Sequence, residues 1–578
     1  MTAFLNVEHS AMGRRWAGPS IEEDRLAEAL ARDATLPLPL ARILVKRGVD
    51  AAGVASYLEP RLRDLMPDPR SLRDMEKAAT RINAATARKE RIAIFADYDV
   101  DGGSSAALLL IWLRALGLQA TLYIPDRIEE GYGPNIPAME MLAAKHDLII
   151  CVDCGTLSHA PIAAAKGCDV IVLDHHLGGE TLPPALAVVN PNRQDETGDL
   201  AQLCAAGVVF LTLVECARQR RGEGLSSPDL MSMLDLVALA TVADVAPLTG
   251  VNRAFVRTGL QVMAKRGRVG LTALSDVARM DSAPTSYHLG YLLGPRVNAG
   301  GRVGRADLGA RLLSTDDPAE AQSLADRLEM LNEERRAIEN AVRDAAIAQA
   351  EARGLDGPLV WAAADGWHPG VVGIVAARMK EATHRPAVVI GFDGDEGKGS
   401  ARSVSGVDLG AAIHRLEAEG FITRGGGHKM AAGLSLTRAQ LEPAMARLGE
   451  LLAKQGAGQG VEDLRIDGAL MPGAATVELV ERLEQAGPFG ASAPAPRFAM
   501  GSVSVAFTKR VGANHMKVTL SDGLKGRLDA IAFGAADTEL GAVLQSGQPI
   551  HVAGRLELNR WQGRTTVQMR IEDAARAV

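Results

Sequence analysis

Short apolar segments alternate with helical segments between residues 91 and 250, and this alternation constrains the fold more than any other feature. A helical segment, 106–116, separates the first two apolar segments. Continuous apolar strands separated by helices are typical of a parallel sheet that helices cover on both faces. The sequence therefore predicts a parallel α/β region. The segments expected to be strands are 92–95, 121–124, 148–152, 170–173 and 187–189.

Acidic and imidazole side chains follow three of these predicted strands. Ligands of a parallel α/β sheet bind at the carboxyl ends of its strands, so these side chains should meet in one crevice. That crevice would collect up to five carboxylates and two imidazoles. The residues are Asp97, Asp99 and Asp101 after the first strand, Asp153 after the third, and Asp174, His175 and His176 after the fourth.

A crevice with this composition predicts a site for divalent cations. Many like charges in one place repel each other unless positive charge lies among them. Carboxylate ligands with imidazole favour Mn²⁺ or Mg²⁺ over structural zinc, and two such ions are a common arrangement for phosphodiester hydrolysis. A single Asp after a strand is usually an N-cap or a turn residue. Three strands that all end this way favour the metal interpretation, and we expect two ions.

The rest of the chain divides into three predicted parts. A 3–4 residue spacing of apolar side chains predicts one long helix over 318–353, which Gly354 ends. A second α/β region is expected at 358–450, with strands at 359–362 and 387–390. Glycines at 394, 397, 399 and 425–427 predict loops there. Five short strands after residue 464 suit a small barrel such as an OB-fold. Those strands are 503–505, 516–520, 530–533, 550–553 and 565–569.

Charge and cysteine content bound the function. The 578 residues include 63 basic and 70 acidic side chains, a net charge of −7, which does not by itself favour a nucleic-acid-binding protein. Bound metals would offset part of that negative charge. Five cysteines, an odd number, indicate free thiols and a cytoplasmic location. Cys151 and Cys154 lack a second Cys or His pair for zinc. No apolar segment has the length of a membrane span, so no membrane association is expected.

Four motifs resemble those of a known superfamily. The sequence DYDVDG at 97–102 resembles the first motif of the DHH phosphoesterases, VDCG at 152–155 resembles their second, and DHH at 174–176 is the motif that names them. LATVADVAPL at 239–248 resembles the fourth motif of the RecJ branch of that superfamily. The resemblance extends over about residues 40–575. Val100 departs from the family, where alanine is common, at a position that carries no ligand.

The resemblance implies a set of site residues. Asp97 would be a ligand or would orient one, and His176 would lie near the scissile phosphate. Asp235 is a second choice to Asp244 because it is expected to face another way on a helix. The metal ligands implied by the resemblance are Asp99, Asp101, Asp153, His175 and Asp244.

The resemblance also implies groups that bind the substrate. RGGGHK at 424–429 resembles the glycine-rich motif of the accessory DHHA1 domain, and GSARS at 399–403 offers a hydroxyl and a guanidinium for a terminal 5′ phosphate. GPRVNAGGR at 294–302 resembles another RecJ segment. Basic side chains with an occasional aromatic, such as Phe507, suit contact of the barrel with single-stranded DNA. The residues expected to bind substrate are Arg127, Arg296, Arg302, Ser400, Arg402, Gly426, Gly427 and His428.

These implications give an expected organisation and activity. The fold would be α/β, with a parallel-sheet DHH domain, a long helix, a DHHA1 α/β domain and an OB-like β-barrel. The active site would lie in the cleft between the DHH and DHHA1 domains, in a channel too narrow for duplex DNA. The expected regions are a helical lead-in at 1–85, the DHH domain at 86–315, the helix at 316–354, the DHHA1 domain at 355–455 and the OB-fold at 462–578.

The expected activity is 5′→3′ hydrolysis of single-stranded DNA to mononucleotides, in DNA repair and recombination. Single-strand-binding protein and a helicase would be further partners. One alternative is a DHH phosphodiesterase that acts on short oligoribonucleotides or cyclic dinucleotides, but such enzymes usually lack the extra barrel. Another is a non-catalytic scaffold that binds single strands, but such a protein should have broken ligand motifs, and here they are complete.

Overall fold

A computed structural model describes residues 3–127, 130–458, 463–561 and 563–577. Within them lie three larger sheets and one two-stranded sheet. None of the helices among these residues is both long and apolar enough to cross a bilayer. The first elements along the chain are β1 (Trp16–Ala17), α1 (Ile21–Asp33), α2 (Leu38–Lys46), α3 (Val54–Leu58), α4 (Leu62–Leu65) and α5 (Met75–Arg88).

The first large sheet has five parallel strands, which confirms the predicted parallel α/β region. Its order is β3-β2-β4-β5-β6. Every residue of β2 and β4 is buried, because helices cover both faces of the sheet. The elements are β2 (Ile92–Ala96), α6 (Val100–Ala115), β3 (Thr121–Tyr123), α7 (Ile136–Ala143), β4 (Leu148–Val152), α8 (His159–Ala164), β5 (Asp169–Leu173), β6 (Ala187–Val189), α9 (Ala205–Gly222), α10 (Leu234–Ala243), α11 (Gly250–Ala264), α12 (Val269–Val277), α13 (Gly294–Val303) and α14 (Leu308–Ser314).

Helix α6 begins six residues before the predicted start at residue 106, so that prediction was wrong at its N-terminal end. Asp99 caps the helix, since its Oδ1 accepts hydrogen bonds from the backbone N–H groups of Asp101 and Gly102 at 2.9 and 3.0 Å. A β-carbon at Gly102 would lie 2.4 Å from the carbonyl oxygen of Asp97. The glycine is therefore required by a close approach of helix and strand, and it does not mark a loop.

The long helix α15 (Pro318–Arg353) has the predicted bounds, and Gly354 follows it. Its first half packs Leu324, Leu328 and Leu331 into the core of the parallel-sheet region. Its second half packs Val342 and Ala346 into the core of the next sheet. The helix thus joins the two regions.

The second large sheet mixes parallel and antiparallel strands in the order β10-β11-β9-β8-β7. The prediction of loops at the glycines was wrong for Gly397, Gly399 and residues 425–427, which lie in β9 and β10. A β-carbon at Gly399 would lie 2.8 Å from the Ile390 side chain, so packing requires glycine inside this strand. The elements are β7 (Val360–Asp365), α16 (Pro369–Thr383), β8 (Ala387–Asp393), β9 (Glu396–Arg402), α17 (Leu409–Ala418), β10 (Arg424–His428), β11 (Ala431–Thr437) and α18 (Leu441–Ala453).

The C-terminal region forms a barrel, as predicted. Its sheet has the order β13-β14-β15-β16-β18-β17, and an additional pairing of β14 with β17 closes it. The expected OB region began at 462 and ended at 578, and these two residues lie outside the described ones. The elements are β12 (Leu464–Arg465), β13 (Gly468–Ala469), α19 (Val477–Glu484), β14 (Phe498–Val511), β15 (His515–Ser521), β16 (Arg527–Ala532), α20 (Glu539–Leu544), β17 (Ile550–Trp561) and β18 (Arg564–Arg576).

The N-terminal segment packs on this barrel although it is distant in sequence. β1 pairs in parallel with β12, and the fully buried Trp16 contacts the barrel wall. The buried carboxylate of Asp573 accepts hydrogen bonds from the Ser10 hydroxyl at 2.6 Å, the Trp16 indole at 3.1 Å and the Met12 backbone at 3.2 Å. Helix α5 instead packs against the parallel sheet. The expected lead-in at 1–85 therefore serves two different cores.

Replacing Asp573 with alanine should destabilise the protein by about 2–4 kcal/mol, because it leaves the buried Trp16 indole N–H and two partly buried donors without their acceptor. Urea unfolding followed by Trp fluorescence measures this change. Asp573→Asn is the matched control, since its amide oxygen can still accept, and it should be less destabilising. Equal stability of Asp573→Ala and the wild type would contradict the assigned role of these hydrogen bonds.

Candidate metal centre

The carboxyl ends of three neighbouring strands lie level with one another. Ala96 of β2 pairs with Val152 of β4, and Val152 pairs with Leu173 of β5. The residues that follow these three strands therefore leave the sheet at the same edge, as the sequence predicted. Those residues are Asp97, Asp153 and Asp174.

Three sets of side chains at this edge have ligand atoms within 4.8 Å of one another. His175 and Asp153 each belong to two sets, so the sets adjoin. Together they include all seven residues that the sequence predicted for the catalytic centre. The sets are Asp153 with His175 and His176, Asp101 with His175 and Asp244, and Asp97 with Asp99 and Asp153.

His175 lies among three carboxylates. Its Nε2 is 3.3 Å from Asp153 Oδ1, 3.7 Å from Asp101 Oδ2 and 3.9 Å from Asp244 Oδ2. Asp244 reaches this point from the C-terminal end of α10, and its side chain is 28% exposed. The site is therefore buried on the sheet side and open on the side of Asp244.

Asp101 is held in place by another helix. Both of its oxygens accept hydrogen bonds from the N-terminus of α9, from the backbone of Ala205 at 2.7 Å and of Ala206 at 2.8 Å. The unpaired N–H groups and the dipole at this helix end stabilise a negative charge. Burial of this side chain, which is 1% exposed, raises the pKa of Asp101, and the two backbone hydrogen bonds oppose that rise by favouring the carboxylate.

Asp153 has two unusual features. Its φ is +59°, a left-handed conformation that is uncommon for residues other than glycine and costs energy. Its Oδ1 is buried and accepts no hydrogen bond. A buried carboxylate oxygen without a donor is costly unless a cation faces it. This orphaned atom and the oxygen-rich donor set fit a hard divalent ion such as Mn²⁺ or Mg²⁺.

The electrostatics of the site show the same need for positive charge. Burial and the neighbouring carboxylates raise the pKa of Asp97 and of Asp153 well above the ordinary range. Burial and the charges of Asp101 and Asp99 raise the pKa of Asp244 to about 8. The ionised forms of these groups are therefore unfavourable together, and a bound cation would offset their repulsion.

Asp174 has a different role from the other acids. Its Oδ1 accepts from the His175 backbone at 2.7 Å and from His176 Nδ1 at 2.8 Å, and its Oδ2 accepts from the Thr156 hydroxyl at 2.7 Å. Although burial acts to raise it, these hydrogen bonds lower the pKa of Asp174. Asp174 orients His176. The sequence placed Asp174 among the acids of the crevice and in the DHH motif, and the resemblance did not include it among the metal ligands.

Asp235 is a residue of the structural core. It is buried, and both of its oxygens pair with Arg268, at 2.8 and 2.9 Å. It belongs to none of the three sets. This placement agrees with the expectation that Asp235 faces away from Asp244 on α10.

Three arginines have no carboxylate partner among the described residues: Arg127, Arg302 and Arg402. Arg127 interacts electrostatically with Asp97 of the metal centre, Arg302 interacts with Asp99, and Arg402 lies near Arg127. Arg302 Nη1 donates to the Gly370 carbonyl at the start of α16, which joins α13 to the second sheet region. Burial lowers the pKa of Arg302 and of Arg402, and the positive charge of Arg127 lowers both further. The guanidinium of Arg127 lies over the Tyr98 ring, 5.3 Å from its centre. Unpaired, partly buried cations of this kind favour binding of an anion.

The serine and arginine of β9 share a sheet face with part of the glycine-rich motif. Residues paired across strands have their side chains on the same face. Helix α16 covers part of this face, since a β-carbon at Gly373 would lie 3.1 Å from Arg402 Nη2. The two rows across β9, β11 and β10 are Ser400-Gly433-Gly426 and Arg402-Ala431-His428.

Gly427 is placed differently from Gly426 and His428. Its φ is +152°, and a β-carbon there would lie 2.4 Å from the Ala431 carbonyl oxygen. The close pairing of β10 with β11 therefore requires glycine at position 427. This requirement accounts for the residue without a contact to the substrate.

The structure does not support the predicted substrate contact of Arg296. Its Nε and Nη2 pair with the carboxylate of Glu329 on α15, and its Nη1 donates to the Leu292 carbonyl at 2.7 Å. The residue is 8% exposed. Its donors are used inside the protein, where they hold α13 against α15.

Tyr132 is a residue of the site that the sequence analysis missed. Its hydroxyl is 3.2 Å from the Asp153 carbonyl oxygen and 3.2 Å from His176 Nε2. Gly131 and Gly133, with φ of +86° and +73°, flank it. The GYG sequence was the available signal, because two glycines around an aromatic residue often shape a turn.

The barrel presents aromatic side chains to solvent. Phe507 is 52% exposed and Phe533 is 51% exposed. The Arg570 guanidinium lies over the Phe533 ring, 5.2 Å from its centre. Exposed aromatic rings beside guanidinium groups are typical of surfaces on which unpaired bases stack.

Comparisons with known proteins agree with this arrangement. Three family models match the chain: the DHH family N-terminal domain at residues 91–241, the DHHA1 domain at 356–454 and the RecJ OB domain at 466–573.

The chain is 38% identical over 559 residues to the single-stranded-DNA-specific exonuclease RecJ of Dickeya dadantii, covering 93% of this chain and 96% of that protein. It is 36% identical over 565 residues to the protein of that name from Escherichia coli, with the same two coverages. The crystal structure of RecJ from Thermus thermophilus in complex with Mn²⁺ matches with a TM-score of 0.81 and 30% identity, over 97% of this chain and 79% of that chain. The chain therefore belongs to the RecJ family.

Proposed function

We propose that this protein is a metal-dependent exonuclease that degrades single-stranded DNA from its 5′ end and releases mononucleotides, in DNA repair and recombination. The observation that carries the proposal is the convergence of carboxylates from Asp101, Asp153 and Asp244 on His175. The names of the relatives give the substrate, since they are single-stranded-DNA-specific exonucleases.

The residues of the three sets would hold two Mn²⁺ or Mg²⁺ ions. The chemistry that such ions supply is activation of a water molecule and stabilisation of charge on phosphate oxygens. His176, which Asp174 orients through Nδ1, would lie beside the scissile phosphate. Asp97 and Asp99 would complete the oxygen ligands on the strand side. The proposed ligands are Asp97, Asp99, Asp101, Asp153, His175 and Asp244.

The three arginines without a carboxylate partner would set the direction in which the enzyme digests the strand. Arg127, Arg302 and Arg402, with the Ser400 hydroxyl, would form a cationic pocket suited to a terminal phosphate, which carries more charge than an internal phosphodiester. A 5′ phosphate anchored there would place the first phosphodiester at the metals, so that each cycle releases one nucleotide. His428 and Gly426, on the same sheet face as Arg402 and Ser400, would contact the first nucleotide.

The barrel distinguishes this proposal from activity on short substrates. Its aromatic surface around Phe507 and Phe533 would bind the strand that has not yet entered the site. A short oligoribonucleotide or a cyclic dinucleotide would not need this surface. A scaffold without catalysis would not need Asp153, whose left-handed backbone and unpaired oxygen cost stability.

We also propose a cytoplasmic location and action together with single-strand-binding protein and a helicase. Five free cysteines support a reducing compartment. A 5′→3′ exonuclease specific for single strands needs an activity that unwinds duplex DNA, which favours a helicase partner.

A digestion with two labels tests the proposed function. Single-stranded DNA labelled at either the 5′ or the 3′ end is incubated with the protein and Mn²⁺. We expect labelled mononucleotide at once from the 5′-labelled strand, and from the 3′-labelled strand only at the end of digestion. The controls are duplex DNA, short RNA and cyclic dinucleotides. Inactivity on long single-stranded DNA, or early release of the 3′ label, would contradict the proposal.

A further inference from the structure

The loop between β3 and α7 brings one tyrosine to the metal centre. The Tyr132 hydroxyl lies 3.2 Å from the carbonyl oxygen of Asp153 and 3.2 Å from Nε2 of His176. The two rings meet edge to face, with 6.0 Å between their centres. The tyrosine hydroxyl therefore contacts two groups of the site: the backbone of Asp153, a proposed metal ligand, and the imidazole of His176.

The contacts of His176 make the hydroxyl the second of two supports for its ring. Nδ1 is 2.8 Å from the Asp174 carboxylate, which can only accept, so Nδ1 carries a proton. Nε2, the other ring nitrogen, faces the Tyr132 hydroxyl. The single hydroxyl proton is donated to the Asp153 carbonyl, so the hydroxyl oxygen accepts from Nε2–H when both contacts are made. An imidazole that is held at both nitrogens has one orientation, whereas one held at Nδ1 alone can still tilt about that hydrogen bond.

The loop is built to hold the tyrosine in this position. Gly131 and Gly133 on either side have positive φ angles, which residues with side chains rarely adopt. The Asp153 carbonyl, which accepts from the hydroxyl, belongs to a residue that is itself in the left-handed conformation. The backbone N–H of Asp153 donates to the carbonyl oxygen of Leu173 at 3.0 Å. Asp153 is thus held by hydrogen bonds at both its N–H and its carbonyl oxygen, and its carbonyl oxygen in turn holds the Tyr132 hydroxyl.

We infer that Tyr132 is a positioning residue for hydrolysis, which orients the His176 imidazole toward the scissile phosphate through its hydroxyl group. The inference rests on the proposed nuclease function. Tyr132 is 57% exposed, so the core does not require its ring, and its hydroxyl end is the part that contacts the protein. The Tyr132 side chain therefore contributes little to packing, and orientation of the His176 imidazole accounts for its position.

Tyr132→Phe removes the hydroxyl and keeps the ring. We expect kcat on long single-stranded DNA with Mn²⁺ to fall by about 10-fold or more, as is usual when a partner that orients a site residue is removed. KM should change by less than about twofold, because the phosphate anchor of Arg127, Arg302 and Arg402 is unchanged. Tyr57→Phe is the matched control, since it also removes one tyrosine hydroxyl that forms a hydrogen bond, at 2.6 Å from Arg47, and Tyr57 packs in a different hydrophobic cluster from that of the parallel sheet.

A double-mutant cycle decides whether the hydroxyl acts through His176. In a His176→Ala background, Tyr132→Phe should have almost no further effect on kcat. The inference is wrong if Tyr132→Phe has wild-type kcat, or if it lowers kcat by the same factor in both backgrounds. Wild-type protein assayed in parallel separates the two proposals, since an inactive wild type would contradict the nuclease function itself. Tyr132→Leu, which also removes the ring, provides a second variant, and thermal unfolding checks that each variant is folded.

Discussion

Replacing Asp153 with asparagine should lower exonuclease activity by at least about 10³-fold. Asp153 belongs to two of the three ligand sets, and its buried Oδ1 accepts no hydrogen bond from the protein. An amide has almost the same shape but no negative charge, so the variant should bind Mn²⁺ much more weakly. Isothermal titration calorimetry with Mn²⁺ and the release of labelled nucleotide measure the two effects.

The same substitution should make the metal-free protein more stable. In the absence of cations, burial and the charges of Asp101 and Asp99 oppose ionisation of Asp153. At neutral pH, which lies above the pKa of the carboxyl in the unfolded chain, folding must either bury this charge or protonate the group, and an amide requires neither. The free energy of unfolding in EDTA at pH 7 should therefore rise by about 1–2 kcal/mol, and the difference from the wild type should disappear as the pH falls below about 4. Asp147→Ala is the matched control, because Asp147 precedes the same strand, β4, and forms an exposed ion pair with Arg91. It should change neither activity nor metal affinity.

Two outcomes would contradict this account of Asp153. Retained activity in Asp153→Asn would show that the carboxylate does not hold a catalytic ion. A destabilised metal-free variant would show that the cluster is not a site of repulsion.

Replacing Arg402 with alanine should remove most of the preference for a 5′-phosphorylated end. Charge-assisted hydrogen bonds to a phosphate contribute about 1.5–3 kcal/mol, which corresponds to a loss of about 10- to 100-fold in kcat/KM. The wild type should degrade 5′-phosphorylated single strands faster than 5′-hydroxyl strands, and the variant should degrade both at similar rates. Digestion of each substrate at a concentration below KM gives the ratio of the two kcat/KM values, 5′-phosphorylated over 5′-hydroxyl.

The fold of this variant should survive, because no carboxylate among the described residues pairs with Arg402 and none would be left buried alone. Arg438→Ala is the matched control, since Arg438 follows the other end of β11, where it pairs with Asp365. It should leave the ratio unchanged. If Arg402→Ala slowed both substrates by the same factor, Arg402 would not read the terminal phosphate.

The two predicted arginines of α13 show what sequence patterns could not decide. Arg296 and Arg302 lie in one motif, and the sequence offered both as contacts to the DNA backbone. They are six residues apart, so on a helix they point about 120° away from each other. One faces α15 and pairs with Glu329, and the other faces α16 and Gly370. Only the packing of neighbouring helices determines which face of α13 meets the site.

The glycine-rich strands of the second sheet also depend on tertiary contacts that the sequence pattern does not reveal. The sequence predicts loops at Gly397, Gly399 and 425–427 because glycine favours turns. In the structure these glycines lie inside strands, and at Gly397, Gly399 and Gly425 neighbouring side chains such as Ile390 leave no room for a β-carbon. A local propensity is weak, and tertiary contacts override it.

The sequence by itself determined the parallel sheet, the long helix and the acids at the strand ends. Each of these depends on a local period or on the position of a residue relative to its own strand. Tertiary structure alone decided that Asp101 is held by the distant N-terminus of α9, that Asp174 orients His176, and that Tyr132 reaches both His176 and Asp153. The contacts of Asp101 and Tyr132 join segments far apart in the chain, whereas Asp174 and His176 are two residues apart and meet because of the turn that follows β5. In each case the geometry follows from how helices and loops pack around the sheet edge, which no local pattern encodes.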